Sequence, residues 1–223
     1  MRKGGMCCVS SAIKSEIIKV KEKLNGDYIV TNYEYNPLGE ITNVRDAKGN
    51  TTNIVYDNLG RRKEIANPDS GRVTFTYDTA GNLIRKATSN LRAKGQAVHY
   101  YYTYNRLDKI DYPSISDTTY TYGDAGAQFN RAGRIVSVNN GDMENVRFYG
   151  KLGEVVKSVK SIRSDIPARN WRTFTTEYEF DSMGRMRSMV YPDGEELTYS
   201  YDRGGLLQGA EGLKLHKKYT YLK

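Results

Sequence analysis

This sequence predicts an all-β fold: repetitive antiparallel β-hairpins paired side by side into a long, twisted and curved sheet. Three observations predict it. An aromatic residue followed four positions later by Gly recurs along the chain. A second aromatic stands two residues before that anchor in most copies, as in Tyr33/Tyr35, Phe75/Tyr77, Tyr102/Tyr104, Tyr120/Tyr122, Tyr178/Phe180 and Tyr199/Tyr201. Residues i and i+2 share one face of a strand, so each pair makes an aromatic stripe. Between stripes the chain places Asp or Asn and then Gly, as in DNLG at 57–60 and DSMG at 181–184. An Asp side chain can bond backbone N–H groups two residues on, and Gly accepts the positive φ of a tight turn.

The elements follow in chain order. Residues 1–16 fit no repeat and are expected to be a disordered or frayed N-terminal tail, leaving 17–223 as the repeat region. Ile13, Ile17, Val20 and Leu24 have helical spacing, whereas Ile18, Val20 and Leu24 alternate like a strand that runs into Asn25-Gly26. Asn-Gly is a strong short-range hairpin signal, so 17–35 reads better as a hairpin. The anchor and its glycine then recur as Tyr35 with Gly39, Tyr56 with Gly60, Tyr77 with Gly81, Tyr122 with Gly126, Tyr149 with Gly153, Phe180 with Gly184 and Tyr201 with Gly205. Tyr104 is read as an anchor that meets Asp108 where Gly is expected, and Tyr221 opens a further unit. Asp57, Asp78, Asp181 and Asp202 directly follow their anchors. Tyr35, Tyr56 and Tyr77 are spaced by 21 residues, as are Phe180 and Tyr201; the irregular middle steps read as loop insertions. Two residues after the glycine comes an aliphatic that should begin the return strand: Ile41, Leu83, Val155, Met186, Leu207. Second turns are expected at 46–49, 67–71 and 191–194, where Pro and Gly take turn positions. Each unit is strand, turn, strand, turn. A lone hairpin is barely stable in water, but stacked copies pair their edges, giving about fifteen to eighteen strands at roughly two per unit.

Composition narrows the function. The 223 residues carry a net charge of +8, yet the basic residues are scattered, and a specific nucleic-acid partner is not expected. Cys7 and Cys8 are the only cysteines and are adjacent, so they cannot staple a fold; with only His99 and His216 beside them they offer no metal spacing. No stretch approaches the roughly 20 apolar residues of a membrane helix, and the short, broken apolar stretch at the N-terminus is not a recognisable signal peptide. The recurring aspartates could be imagined as acid–base pairs, but an enzyme does not need its acid in every repeat, and turn capping explains them. His99 has no nucleophile partner, and the glycines at 123–126 and 203–205 lack the helix and lysine of a phosphate loop. No cofactor and no catalysis are expected. Trp171 lies in a long insertion, IRSDIPARNWRTF, which suits a contact loop.

YDNLGRR at 56–62, NPDSG at 67–71, YDTAGNLIRK at 77–86 and YPDGEELTYSYDRGG at 191–205 resemble the YD repeats of RHS proteins, and FYGKLGEVVKSV at 148–159 is similar to another segment common in them. The resemblance covers about residues 28–223. Relatives include bacterial RHS and wall-associated proteins, the B and C components of insecticidal toxin complexes, and teneurins. It implies a β-sheet that spirals into a hollow shell, which in the bacterial toxins encloses a C-terminal toxic domain and in teneurins takes part in adhesion. The chain is expected to be an open, partial shell, a fragment or one piece of a split gene, secreted or at the cell surface within a larger protein. Its implied partners are the remainder of the shell and an encapsulated C-terminal toxin. The second reading is an adhesive module whose exposed Tyr and Lys/Arg bind a cell-surface glycan or receptor. Produced alone, such a sheet should expose two unpaired edges, which promote association.

Overall fold

Strands form where the two-residue period places them, because only that period puts each aromatic stripe on one side of the sheet. The computed structural model describes residues 6–11, 16–24, 26–164, 170–212 and 218–220, with side chains over 16–24, 26–164 and 170–212. The described chain forms nineteen strands and one short helix, in two units, Met1–Asn105 and Arg106–Lys223.

The first unit is an antiparallel meander of β1 (Met6–Ser11), β2 (Ile17–Leu24), β3 (Asp27–Tyr35), β4 (Ile41–Arg45), β5 (Thr51–Tyr56), β6 (Arg62–Asn67), β7 (Gly71–Tyr77), β8 (Leu83–Ala87) and β9 (Val98–Thr103), each paired with the next. The second runs likewise through β10 (Arg106–Asp111), β11 (Thr118–Tyr122), β12 (Ile135–Asn139), β13 (Met143–Tyr149), β14 (Val155–Ser164), β15 (Asn170–Phe180), β16 (Met186–Val190), β17 (Glu196–Tyr201), β18 (Leu207–Gly212) and β19 (Lys218–Thr220). The 17–35 segment is the expected hairpin, closed by Leu24 opposite Asp27. Ile41, Leu83, Val155, Met186 and Leu207 each begin a strand. Where fraying is expected, Met6–Ser11 is instead a strand: it lies along β2, whose edge away from β3 would otherwise be unpaired. The short helix α1 (Ser89–Ala93) fills one irregular step; the Thr88 hydroxyl caps it by accepting from the Leu91 N–H.

Alternation is clearest in β5 and β17. Ile54, Tyr56, Tyr199 and Tyr201 are half-buried, while Asn53, Val55, Thr198 and Ser200 between them are exposed. Cross-strand partners continue the apolar face, with Ile54 opposite Ile65, Ile65 opposite Val73, and Met189 opposite both Tyr178 and Leu197. Each such pair contributes roughly 0.2–1 kcal/mol. Among the described residues no large side chain is fully buried; the buried apolar ones are Ala87, Ala97, Tyr149 and Ala210. Stability therefore comes from ladders and shared faces rather than from a packed interior.

The turns share one closure. The Asp57 N–H donates to the Arg61 carbonyl at 2.9 Å, and the Gly60 N–H to the Asp57 carbonyl at 3.0 Å, with Gly60 at φ 75°. This is a type I turn followed by a left-handed glycine, a three-residue hairpin loop. Asp57 Oδ1 accepts from the Leu59 and Arg61 N–H groups, and its Oδ2 accepts from Arg61 Nε at 2.7 Å. Asp181 repeats the arrangement with Met183 and Arg185.

At 149–154 the backbone closure is the same, with the Gly150 N–H donating to the Glu154 carbonyl at 2.8 Å, but Gly150 stands where the aspartate should be and Glu154 where the arginine should be. A Cβ on Gly150 would overlap the Glu154 carboxylate. The glutamate thus reaches back into the space an aspartate side chain would fill. Gly150→Asp alone should lower the melting temperature, and Glu154→Arg added to it should recover much of the loss by restoring the Asp–Arg pair. A double-mutant cycle by thermal denaturation should show favourable coupling on the order of 1 kcal/mol; additive effects would rule the exchange out.

Candidate functional site

Seven of the anchors sit on a bulge. The pairing register slips at Tyr35, Tyr56, Tyr77, Tyr122, Tyr149, Phe180 and Tyr201, each opposite the first residue of the return strand. A bulge leaves backbone groups without their ladder partner, and an unpaired carbonyl away from water costs free energy.

The next unit supplies the missing donor. The Tyr56 hydroxyl donates to the Ile41 carbonyl at 3.0 Å, Tyr77 to Arg62 at 2.9 Å, Tyr149 to Ile135 at 2.7 Å and Tyr201 to Met186 at 2.8 Å. In each case the acceptor is the residue paired with the preceding anchor across its bulge. Tyr35 to Ile17, Tyr102 to Leu83 and Tyr122 to Leu107 complete the set. An arginine just before the acceptor covers the same ring: Arg61 lies 4.7 Å from the Tyr77 centroid, Arg106 4.7 Å from Tyr122, Arg134 5.6 Å from Tyr149 and Arg185 4.8 Å from Tyr201. Such cation–π contacts contribute about 0.5–1 kcal/mol at exposed sites. At Asp57 and Asp181 the aspartate orients the arginine, the arginine covers the next ring, and the ring's hydroxyl closes the bulge behind it.

Two sequence expectations need correction. Tyr104 is not an anchor: it has φ 51° and is 89% exposed, in a turn with Asn105 at φ 60°. Tyr102 holds the anchor position, and the stripe of that strand is Tyr100/Tyr102. Nor is Gly126 the closing glycine of the Tyr122 unit. The Gly123 N–H donates to the Arg134 carbonyl at 3.0 Å and the Gly133 N–H to the Gly123 carbonyl at 2.8 Å, so Gly123, Gly133 and Arg134 take the roles of Asp57, Gly60 and Arg61. Residues between them form an excursion in which Arg131 lies 5.5 Å from the Phe129 ring and 4.0 Å from the Phe148 ring. The signal was present: Gly133-Arg134-Ile135 repeats the pattern of Gly184-Arg185-Met186. The other anchors, aspartates and glycines lie in equivalent turns; Tyr221 is outside the described residues.

The electrostatics follow the turns. The Arg61 N–H holds the Asp57 carboxyl below its ordinary value of 3.8, and the Arg185 N–H does the same for Asp181. Side-chain bonds from Asn82 and Asn50 lower Asp78 and Asp46, and Lys109 at 2.6 Å lowers Asp117. Desolvation raises the Tyr102 and Tyr122 hydroxyls above 10.0. These shifts belong to turn capping and ring packing. His99 lies in β9 opposite Arg85. Among the described residues no three His, Cys, Asp or Glu come together to hold a metal, and no helix is long and apolar enough to cross a membrane.

A family model described as the teneurin YD-shell matches residues 11–221. The chain belongs to the teneurin YD-shell family. Over 216 residues the YD-shell chain is 26% identical to the double-stranded DNA deaminase toxin A of Burkholderia cenocepacia (strain H111), a match that spans 80% of this chain and 15% of that protein. The crystal structure of TcdB2-TccC3-Cdc42 has the same fold, with a TM-score of 0.67 and 17% identity over 94% of the YD-shell chain and 12% of that one. That of TcdB2-TccC3 matches with a TM-score of 0.65 and 19% identity, again over 94% and 12%. The YD-shell chain therefore spans a small part of each protein it resembles.

Phe180 is the anchor that cannot donate. Its register to Val155 matches that of Tyr56 to Ile41, because Lys157 opposite Glu177 repeats Asn43 opposite Asn53. Phe180→Tyr should therefore raise stability by about 1 kcal/mol, and Tyr56→Phe or Tyr201→Phe should lower it by about the same. Chemical denaturation measures both; a change of the same sign from Phe180→Tyr and Tyr201→Phe, or none from either, would refute the assignment. A second expectation concerns pH. The lowered aspartates stabilise the fold above about their unfolded value of 3.8, and this contribution is lost as pH falls through their folded values. Melting temperature should drop steeply only below about pH 4, and Asp57→Asn with Asp181→Asn should flatten that drop.

Proposed function

We propose that this YD-repeat sheet is a length of wall in a larger, secreted toxin protein, where it encloses a C-terminal toxic domain until delivery and performs no chemistry itself. The observation that carries this reading is the ladder of tyrosine hydroxyls on bulge carbonyls, which joins a unit to the one before it at every described anchor but Phe180. Such a ladder extends a sheet indefinitely without a packed interior, which is what a wall requires. Family membership supports the shell, and the similarity to a deaminase toxin supports a toxin as its content. The aspartates that could have served as acids are spent on turn N–H groups.

The adhesive reading has its own observation: Tyr28 is 55% exposed and Tyr101 50%, rings that could stack on a sugar.

Limited proteolysis of the protein encoded by the whole reading frame tests containment. The segment that follows the repeats should resist protease while the sheet is folded and be digested once denaturant opens it. Equal digestion in both conditions overturns containment. Glycan-array binding that Tyr28→Ala and Tyr101→Ala abolish would favour adhesion instead.

A further inference from the structure

The hairpin between β12 and β13 closes over Asn140-Gly141. Asn139 still pairs with Glu144, and the Asn140 N–H donates to the Met143 carbonyl at 3.0 Å. Inside the loop Gly141 takes φ 86°, and a Cβ there would lie 2.9 Å from Ser116 Oγ. The turn therefore requires glycine. That requirement carries a chemical liability. A backbone nitrogen with no Cβ beside it can reach the side-chain amide carbon of a preceding asparagine, so Asn-Gly is the dipeptide most open to cyclisation.

Three contacts keep the folded loop from that reaction. The Gly141 N–H, which must lose its proton to become a nucleophile, donates to Asn139 Oδ1 at 2.7 Å. A hydrogen bond made by the protonated form favours that form. The Asn140 amide oxygen accepts from the Met143 N–H at 2.8 Å and the Asp142 N–H at 3.3 Å, which fixes the plane of the amide. These two bonds also polarise the amide carbon, but a polarised carbon does not react while the nitrogen keeps its proton. Arg163 completes the hold. Its guanidinium donates to the Gly141 carbonyl at 2.8 Å and meets the Asp142 carboxylate at 2.6 Å, which limits rotation of Gly141 toward the side chain. Asn139, Asn140 and Gly141 are all half-buried.

We propose that Asn140 is a modification site gated by the fold, closed while the β12–β13 hairpin is formed and open once that hairpin melts. In the open chain the Gly141 nitrogen gives its proton to solvent and attacks Asn140 Cγ. The new N–C bond closes a succinimide ring, the Cγ–Nδ2 bond breaks, and the leaving nitrogen takes up a proton and departs as ammonia. Water then opens the ring at either carbonyl, giving aspartate or isoaspartate. Isoaspartate routes the chain through the former side chain and lengthens the backbone of the loop. The longer loop loses the closure that keeps Asn139 opposite Glu144, and either product sets a second carboxylate near Asp142. A hairpin that stays melted long enough thus fails to close again, and the break reaches β11 and β14, which pair with it on either side. The site does not depend on what the sheet encloses.

Incubation of the folded chain in mildly alkaline buffer, followed by peptide mapping with mass spectrometry, measures the conversion. The reference is the synthetic peptide SVNNGDMEN, residues 137–145, under the same conditions. Asn140 should convert at least roughly tenfold more slowly in the protein than in the peptide, the equivalent of about 1.4 kcal/mol. Asn139→Ala, whose folding is verified by circular dichroism, should speed conversion in the protein roughly fivefold and leave the peptide unchanged. Asn139→Asp keeps an acceptor for the Gly141 N–H and should hold conversion slow. Conversion as fast in the folded protein as in the peptide would exclude gating. No acceleration by Asn139→Ala, or the same acceleration by Asn139→Asp, would exclude the hold on Gly141. Protein aged in denaturant and then refolded tests the consequence. Isoaspartyl chains should fail to regain hydrogen-exchange protection at 137–146, and protection equal to that of unmodified chains would overturn irreversibility.

Discussion

A tyrosine hydroxyl donating to a backbone carbonyl one unit earlier is the contact on which the rest of this structure depends. Each hairpin turn is tight because a glycine takes a positive φ, and the tight turn forces a bulge where the return strand begins. The bulge twists the ladder and strands a carbonyl. Without a donor, every repeat would carry a small penalty, and penalties of that size add up along a repeat array. The next tyrosine removes it, at 2.7–3.1 Å in the units from Tyr56 to Tyr149. Neighbouring units therefore stabilise each other through a bond that exists only when both are folded, which makes the array cooperative from unit to unit.

The turn around this contact tolerates exchange of parts as long as the backbone closure survives. Arg61 and Arg185 serve their aspartates and cover the next ring; Asn82 serves Asp78 by its amide alone. Gly150 and Glu154 invert the roles, the acid arriving from the far side of the turn. At 123–134 a whole excursion enters between Gly123 and Gly133, and the two hydrogen bonds that close the turn still form across it. Closure is set by backbone geometry, and side chains fill the remaining space by whichever route is open.

A sheet built this way has a consequence for its surface. Stability is distributed over ladders, so a hairpin can outgrow its neighbours without unfolding the array. β14 and β15 do so, running past β16 with Asp142 bracing the β14 side. β2 and β3 do the same in the first unit, where β3 meets β4 only over Asn32 to Tyr35 while β2 follows it to Asp27.

The sequence by itself determined the strand-turn grammar. The two-residue aromatic period, the Asp-to-Gly turn and the aliphatic two residues on are local features, and Ile41, Leu83, Val155, Met186 and Leu207 begin strands as that grammar requires. The anchoring role of Tyr102 over Tyr104 was not legible, because both satisfy the same spacing; only the hydrogen bond to Leu83, a residue 19 positions away, separates them. Gly133-Arg134-Ile135 carries the local pattern, but the tie of Gly133 to Gly123 was not legible, since an insertion separates them and sequence spacing counts residues rather than distance. The tertiary structure alone decided which strand each tyrosine hydroxyl serves, and that β15 runs past β16. Both are relations between segments that meet only after the chain has folded back on itself; the tyrosines recur at a regular spacing, but a period by itself names no acceptor carbonyl.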